Sequence, residues 1–222
     1  MISRLGVFGG MFDPVHLGHI NAALYAQELL RLDRIKLVPC NQPNHRSEAH
    51  ATAAHRVQML KLAVADYPDI EVDSIEIQRG GVSYAVETLE QFRQSRVAEH
   101  LVFVLGVDAF NTLNRWHQWE TLLDFCDLLV LPRDNVAVDA EVSQAVQLET
   151  RRVEQPQQLF DSVAGRIYID QQFHFDSSST QVRSSIEGNA DLEDLLDSTV
   201  INYIHENQLY DARATGISNA GI

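Results

Sequence analysis

Residues 9 to 19, GGMFDPVHLGH, concentrate more potential chemistry than any other stretch of this chain. A glycine pair after an apolar run lets the backbone close on an anion, and Pro14 suits a turn just ahead of a helix. His16 and His19 follow at a spacing of three, which puts both imidazoles on one helical face near the positive end of the dipole. Two such histidines fit a metal site or an anion site. Zinc needs a third and a fourth ligand, and the nearby candidates His45, His50 and His55 carry no partnering Cys or Glu signature. The glycine pair matches neither the GxxxxGK(S/T) phosphate loop, with no lysine nearby, nor the GxGxxG dinucleotide spacing. Gly18 removes side-chain bulk where a ligand could approach.

The elements around this stretch alternate. Residues 4–8 read as a strand, 20–32 as a helix, 34–39 (RIKLVP) as a strand and 55–65 as a helix whose apolar stripe is Val57, Met59, Leu60 and Val64. Residues 70–77 (IEVDSIEI) alternate like a half-buried strand with Val72, Ile75 and Ile77 inward. A turn at 78–81 precedes a helix capped by Ser83 that runs to about Arg93. LVFVL, 101–105, is a continuous apolar run of the kind buried in a parallel sheet, and it ends in Gly106-Val107-Asp108. A short helix, a helix over 116–125, a strand over 127–131, a helix near 140–148 and a strand over 166–170 follow. Helices begin at Thr180 and lie within 192–208. This order predicts an α/β fold, a Rossmann-like doubly wound and mostly parallel sheet with helices on both faces, with ligands at the carboxyl ends of the strands. Residues 1–211 read as a single domain, and 212–222 as a frayed tail.

Read together, two signatures resemble those of the nucleotidyltransferase superfamily. GGMFDPVHLGH resembles its (H/T)xGH motif, and Ser178-Ser179-Thr180-Gln181-Val182-Arg183 resembles its SSTxIR motif. Within the superfamily, PCNQPNHR, GGVSYAVETL, LGVDAF, RWHQWE and INYIHENQLY resemble bacterial nicotinate-nucleotide adenylyltransferases. The similarity spans 4–211 and is weakest over 134–165.

The resemblance implies adenylyl transfer from ATP to nicotinate mononucleotide, releasing pyrophosphate and forming deamido-NAD. It makes His16, His19 and Arg183 the catalytic residues and turns the histidine pair into phosphate ligands. ATP is then bound by Gly9, Gly10, Met11, Phe12, His16, His19, Gly106, Asp108, Arg133, Ser179, Thr180 and Arg183. Ser179, Thr180 and Arg183 hold the outer phosphates, Asp108 meets the ribose or caps a helix, and Arg133 packs near adenine. Nicotinate mononucleotide is assigned to His45, Arg46, Ser83, Tyr84, Ala85, Trp116 and His117, with Trp116 as the flat surface for the ring. No metal-ligating residue is expected, and Mg²⁺ is the implied cofactor, held mainly by substrate phosphates. Met11 stands where the family usually has Thr, Asn44 replaces a common Pro, Ala85 a common Thr, and His117 is one of the usual residues. Competing readings are an adenylyltransferase acting on nicotinamide mononucleotide or phosphopantetheine, and a non-catalytic nucleotide-binding regulator.

Composition narrows the setting. The formal net charge is −14, and Lys36 and Lys61 are the only lysines, so nucleic acid and anionic membranes are not expected partners. A polyphosphate site must then be a local positive spot of Arg, His, backbone N–H groups and a cation. Cys40 and Cys126 read as buried thiols without metal or disulfide spacing. No run reaches the ~20 apolar residues of a membrane span and no signal peptide is evident, so a cytoplasmic protein is expected, compatible with a homo-oligomer.

Overall fold

A computed structural model describes residues 4–43, 49–95, 98–175 and 177–210. Its strands are β1 (Arg4–Gly10), β2 (Arg34–Pro39), β3 (Ile70–Val72), β4 (His100–Gly106), β5 (Asp127–Leu131) and β6 (Ile167–Ile169). Its helices are α1 (Leu17–Leu30), α2 (Ala53–Ala63), α3 (Ile75–Arg79), α4 (Ala85–Gln94), α5 (Val107–Phe110), α6 (Trp119–Phe125), α7 (Ala140–Ala145), α8 (Leu148–Arg151), α9 (Ser179–Glu187) and α10 (Ser198–Glu206). Every strand pairing is parallel, in the order β3-β2-β1-β4-β5-β6. The expected doubly wound sheet is therefore present. Its order reverses between β1 and β4, and the crevice beyond their carboxyl ends is where such sheets bind ligands.

Alternation along the central strands builds a core on each face. Val102, Val104, Leu129 and Leu131 join α1, α2 and α10 on one side, while Leu101, Phe103, Leu105, Leu128 and Val130 join α4 and α6 on the other. None of the described helices is long and apolar enough to cross a membrane.

Several boundaries depart from the sequence expectation. The strand expected over 70–77 stops at Val72, and 75–79 is helical. Asp73 causes the change: its Oδ1 accepts from the Ile75 N–H at 3.1 Å, and its Oδ2 pairs with Lys36 Nζ at 2.5 Å. Glu76, not Ile75 or Ile77, is the buried residue of that segment. The cap of α4 is Tyr84, because the Ser83 hydroxyl accepts instead from the Asn41 N–H at 2.8 Å. Trp116 is extended and α6 begins at Trp119. The helix expected over 140–148 breaks at Gln147, whose φ is 55°. Helix α9 starts at Ser179 with Ser178 as its cap. Cys126 is buried as expected, but Cys40 is only partly so. Residues 212–222 lie outside the described residues.

Candidate active site

Strand β1 ends at Gly9-Gly10 and hands the chain to the start of α1. His16 is the N-cap of that helix, with extended backbone at φ −140° and ψ 168°. Its N–H donates to Nδ1 of His19 at 3.3 Å, which fixes the proton of a neutral His19 ring on Nε2. The two rings lie face to face, with centroids 3.7 Å apart and planes at 34°. Lone pairs on stacked rings do not converge on one ion, so the geometry disfavours a shared metal. Phe12 packs its ring against His19 at 4.9 Å. Burial, and then the Arg133 guanidinium, push the His16 pKa down to about 4, so this ring is neutral at pH 7. Ser177 Oγ lies 2.9 Å from its Nδ1. The space beside Gly18 is taken by the chain, not left for a ligand. A Cβ there would sit 2.7 Å from Phe175, 2.8 Å from Ser177 Oγ and 2.9 Å from His16 Nδ1.

The second signature closes onto the first. Arg183 Nη1 donates to the Asp13 carbonyl at 2.6 Å and its Nη2 to Thr180 Oγ1 at 3.2 Å. Ser179 Oγ donates to the Pro14 carbonyl at 3.0 Å. Segments more than 160 residues apart in sequence thus form one wall, at the amino end of α9.

Two residues that sequence reasoning passed over hold this wall from behind. Asp13 is 4% exposed, and its carboxylate accepts from the Ala51 N–H, the His50 N–H and the Tyr210 hydroxyl at 3.0, 2.7 and 2.8 Å. Arg56 is 1% exposed and donates to the carbonyls of Met11, Ala51 and Asn41 at 2.8, 3.3 and 3.4 Å. Met11 therefore contributes a backbone carbonyl anchor that does not depend on its side chain. An arginine amid the apolar stripe of α2 was the available signal for Arg56, and Asp13 lies inside the first signature itself.

Across the crevice, Gly106 caps α5 and nothing within 4 Å would meet a Cβ there. Asp108 lies in the first turn of α5, so it is not the cap. Its carboxylate pairs with Arg133 Nη1 at 2.5 Å. The structure thus brings together Gly9, Gly10, Phe12, His16, His19, Arg133, Asp108 and the start of α9 around the end of β1 and β4.

The residues expected for the pyridine ring form a second corner. Tyr84 and His117 stack with centroids 4.3 Å apart. Trp116 meets Phe103 edge-on at 6.3 Å, and Phe103 in turn lies against Gly9. Tyr84 caps α4 without a side-chain hydrogen bond, so the first-turn N–H groups from Ala85 onward face no cap side chain. His45 and Arg46 lie outside the described residues. No group of three or more His, Cys, Asp or Glu that could hold a metal ion occurs among the described residues.

Residues 7–185 match the cytidylyltransferase-like family model. The chain is 35% identical over 211 residues to a protein of Shewanella frigidimarina described as a probable nicotinate-nucleotide adenylyltransferase, covering 93% of this chain and 99% of the relative. A Pseudomonas aeruginosa protein with the same description is 38% identical over 213 residues, covering 96% and 99%. The fold is similar to that of Plasmodium falciparum nicotinic acid mononucleotide adenylyltransferase complexed with NaAD, with a TM-score of 0.73, 17% identity and coverage of 94% and 97%.

Proposed function

The chain belongs to the nicotinate-nucleotide adenylyltransferases, and we propose that it transfers the adenylyl group of ATP to nicotinate mononucleotide in NAD biosynthesis. The products are deamido-NAD and pyrophosphate. The observation that carries this reading is the clamp between the two signatures, in which Arg183 and Ser179 bind the carbonyls of Asp13 and Pro14. It supports a single phosphate site made from both.

The chemistry asks little of a general base. The nucleophile is a phosphate oxygen of the mononucleotide, already ionised at neutral pH because a monoester's second pKa is about 6. It attacks the α-phosphorus in line. The bond from that phosphorus to the bridging oxygen breaks, and the electron pair leaves with pyrophosphate. Catalysis then rests on alignment and on donors that meet the developing charge. His19, with Nε2–H as donor, is assigned to the α-phosphate. His16, neutral and fixed at the helix cap, contacts the neighbouring phosphate oxygens. Arg183, Thr180 and the N–H groups opening α9 bind the outer phosphates. Gly9, Gly10, Met11 and Phe12 form the floor, and Gly106, Asp108 and Arg133 receive the adenosine.

The nicotinate ring is assigned to the corner of Trp116, Tyr84 and His117, with its carboxylate toward the Ser83–Ala85 turn. His45 and Arg46 are assigned to the mononucleotide phosphate. Mg²⁺ is assigned as a companion of ATP held through the substrate phosphates, since Asp13 is committed to three donors and Asp108 to Arg133. When bound it neutralises phosphate charge. The cytoplasm, which holds both substrates, is the compartment this reading implies. Purified protein supplied with ATP, Mg²⁺ and nicotinate mononucleotide should form pyrophosphate and deamido-NAD one to one, and chelation should stop it. Turnover with phosphopantetheine instead, or nucleotide binding without turnover, would favour the competing readings.

A further inference from the structure

Glu76 is 7% exposed in a segment whose alternation points the isoleucines inward. A buried carboxylate is costly unless several donors meet it, and an apolar residue of similar size often serves stability as well or better. Its donors therefore suggest what it is for. Thr88 Oγ1 donates to Glu76 Oε1 at 2.8 Å, and the Ser83 side chain lies near enough to the same carboxylate to favour its charged form.

The Thr88 hydroxyl is the donor to an ionised Glu76, which can only accept. The Ser83 hydroxyl already accepts from the Asn41 N–H at 2.8 Å, and the Thr88 hydroxyl accepts from Arg79 Nη2 at 3.2 Å. A hydroxyl has one proton to give. Thr88 gives it to Glu76 at 2.8 Å in preference to the Tyr84 carbonyl at 3.4 Å. Burial pushes the Glu76 pKa up, while Ser83, Thr88 and Arg79 oppose that rise by favouring the charged acceptor. The result is a run of bonds from Arg79 through Thr88 to Glu76, with the Ser83 side chain, held by the Asn41 N–H, beside the same carboxylate. It is reinforced by the Asn41 side chain on the Gly81 carbonyl at 2.8 Å and the Ser83 N–H on the Gln42 carbonyl at 2.9 Å. The residues it ties down lie on both sides of Tyr84, the cap of α4 and the partner of His117 in the ring stack.

We propose that Glu76 is a positioning residue for nicotinate recognition, holding the Ser83–Tyr84 turn and the first turn of α4 so that their N–H groups meet the substrate carboxylate. The inference rests on the function proposed above. It separates Glu76 from the phosphate site, because none of its partners belongs to α1 or α9. Loss of Glu76 should therefore act on one substrate and on the acid-over-amide choice, and leave ATP alone.

The test compares Glu76→Leu, Glu76→Gln and Thr88→Val with the wild type, using nicotinate mononucleotide, nicotinamide mononucleotide and ATP, with thermal unfolding followed alongside. Glu76→Leu should raise KM for nicotinate mononucleotide about tenfold or more and shrink the acid-over-amide ratio of kcat/KM by a similar factor. KM for ATP should stay within about twofold. Glu76→Gln, which keeps one acceptor oxygen, should fall between Leu and wild type. Thr88→Val, which removes one donor and leaves the carboxylate in place, should show a milder shift in the same direction and supplies the answer if Glu76→Leu does not fold. Folded variants with unchanged KM and ratio, or with KM raised equally for both substrates, would overturn the proposal while leaving the enzyme's function intact. A wild type that ignores nicotinate mononucleotide would overturn the function and this inference with it.

Discussion

His19 and Arg183 make separable contributions, because their fixed contacts differ. The His16 N–H holds Nδ1 of His19, which leaves Nε2 as the donor that the proposed role directs at the α-phosphate. His19→Ala should lower kcat by on the order of 10²–10³ with little change in substrate KM. Near-normal turnover in steady-state assays of the folded variant would remove His19 from that role. Arg183 is bonded to the Asp13 carbonyl and Thr180 Oγ1, at the end of the site assigned to the outer phosphates. Arg183→Ala should raise KM for ATP by roughly 10–100-fold, the size of one charge-assisted hydrogen bond, and KM for nicotinate mononucleotide far less. An equal rise for both substrates would mark a purely architectural arginine.

At the scale of elements, Gly18 shows how closely α1 is fitted to its surroundings. With a would-be Cβ under 3.0 Å from Phe175, Ser177 Oγ and His16 Nδ1, Gly18→Ala must displace the side chains of Phe175 and Ser177 and the His16 ring. We expect a loss of about 1–3 kcal/mol in denaturant stability and a fall in kcat of at least about tenfold. Wild-type stability and rate would show that the fit is looser than described. The sequence made much of this architecture legible where local patterning decides the outcome. Residues 34–39 and 127–131 match β2 and β5, since apolar runs of that length have few alternatives in an alternating α/β chain. The histidine pair was legible because cap, spacing and glycines are neighbours. Residues 70–77 misled because a period of two carries no record of Asp73, whose pairing with Lys36 and bond to Ile75 end the strand. Ser83 is a good helix cap by type, but its hydroxyl is engaged by Asn41, some forty residues away. The apolar stripe of α2 marks Arg56 as unusual but does not name its partners, which are carbonyls accepting from it in two separate loops.

The molecule as a whole keeps chemistry at one end of its sheet and a stability-linked carboxyl at the other. Asp127 opens β5, is fully buried, and accepts at Oδ1 from the Arg166 N–H at 2.8 Å. Among the described residues its Oδ2 has no partner, and burial pushes its pKa up to about 7. The folded protein thus holds this proton to a higher pH than the unfolded chain does, so its contribution to stability is present below about pH 4 and is lost as pH rises through about 7. Asp127→Asn, which keeps the acceptor for Arg166, should raise stability at pH 8 by on the order of 2–4 kcal/mol and change it little at pH 4. Denaturant titrations at those two values check the sign, and an equal effect at both would contradict it. At the catalytic end, a chain of net charge −14 must recognise two anionic substrates through a few local donors. In the proposed reading, the N–H groups opening α4 are what distinguishes an acid from an amide. A carboxamide would turn its NH₂ toward one of these donors and leave a buried polar group unpaired, at a cost of about 1–3 kcal/mol before the lost charge–dipole attraction is added. The most direct measurement is therefore kcat/KM for nicotinate mononucleotide against nicotinamide mononucleotide at equal ATP and Mg²⁺. The site described here predicts a preference for the acid of on the order of 10²-fold or more, whereas equal values or a preference for the amide would contradict it.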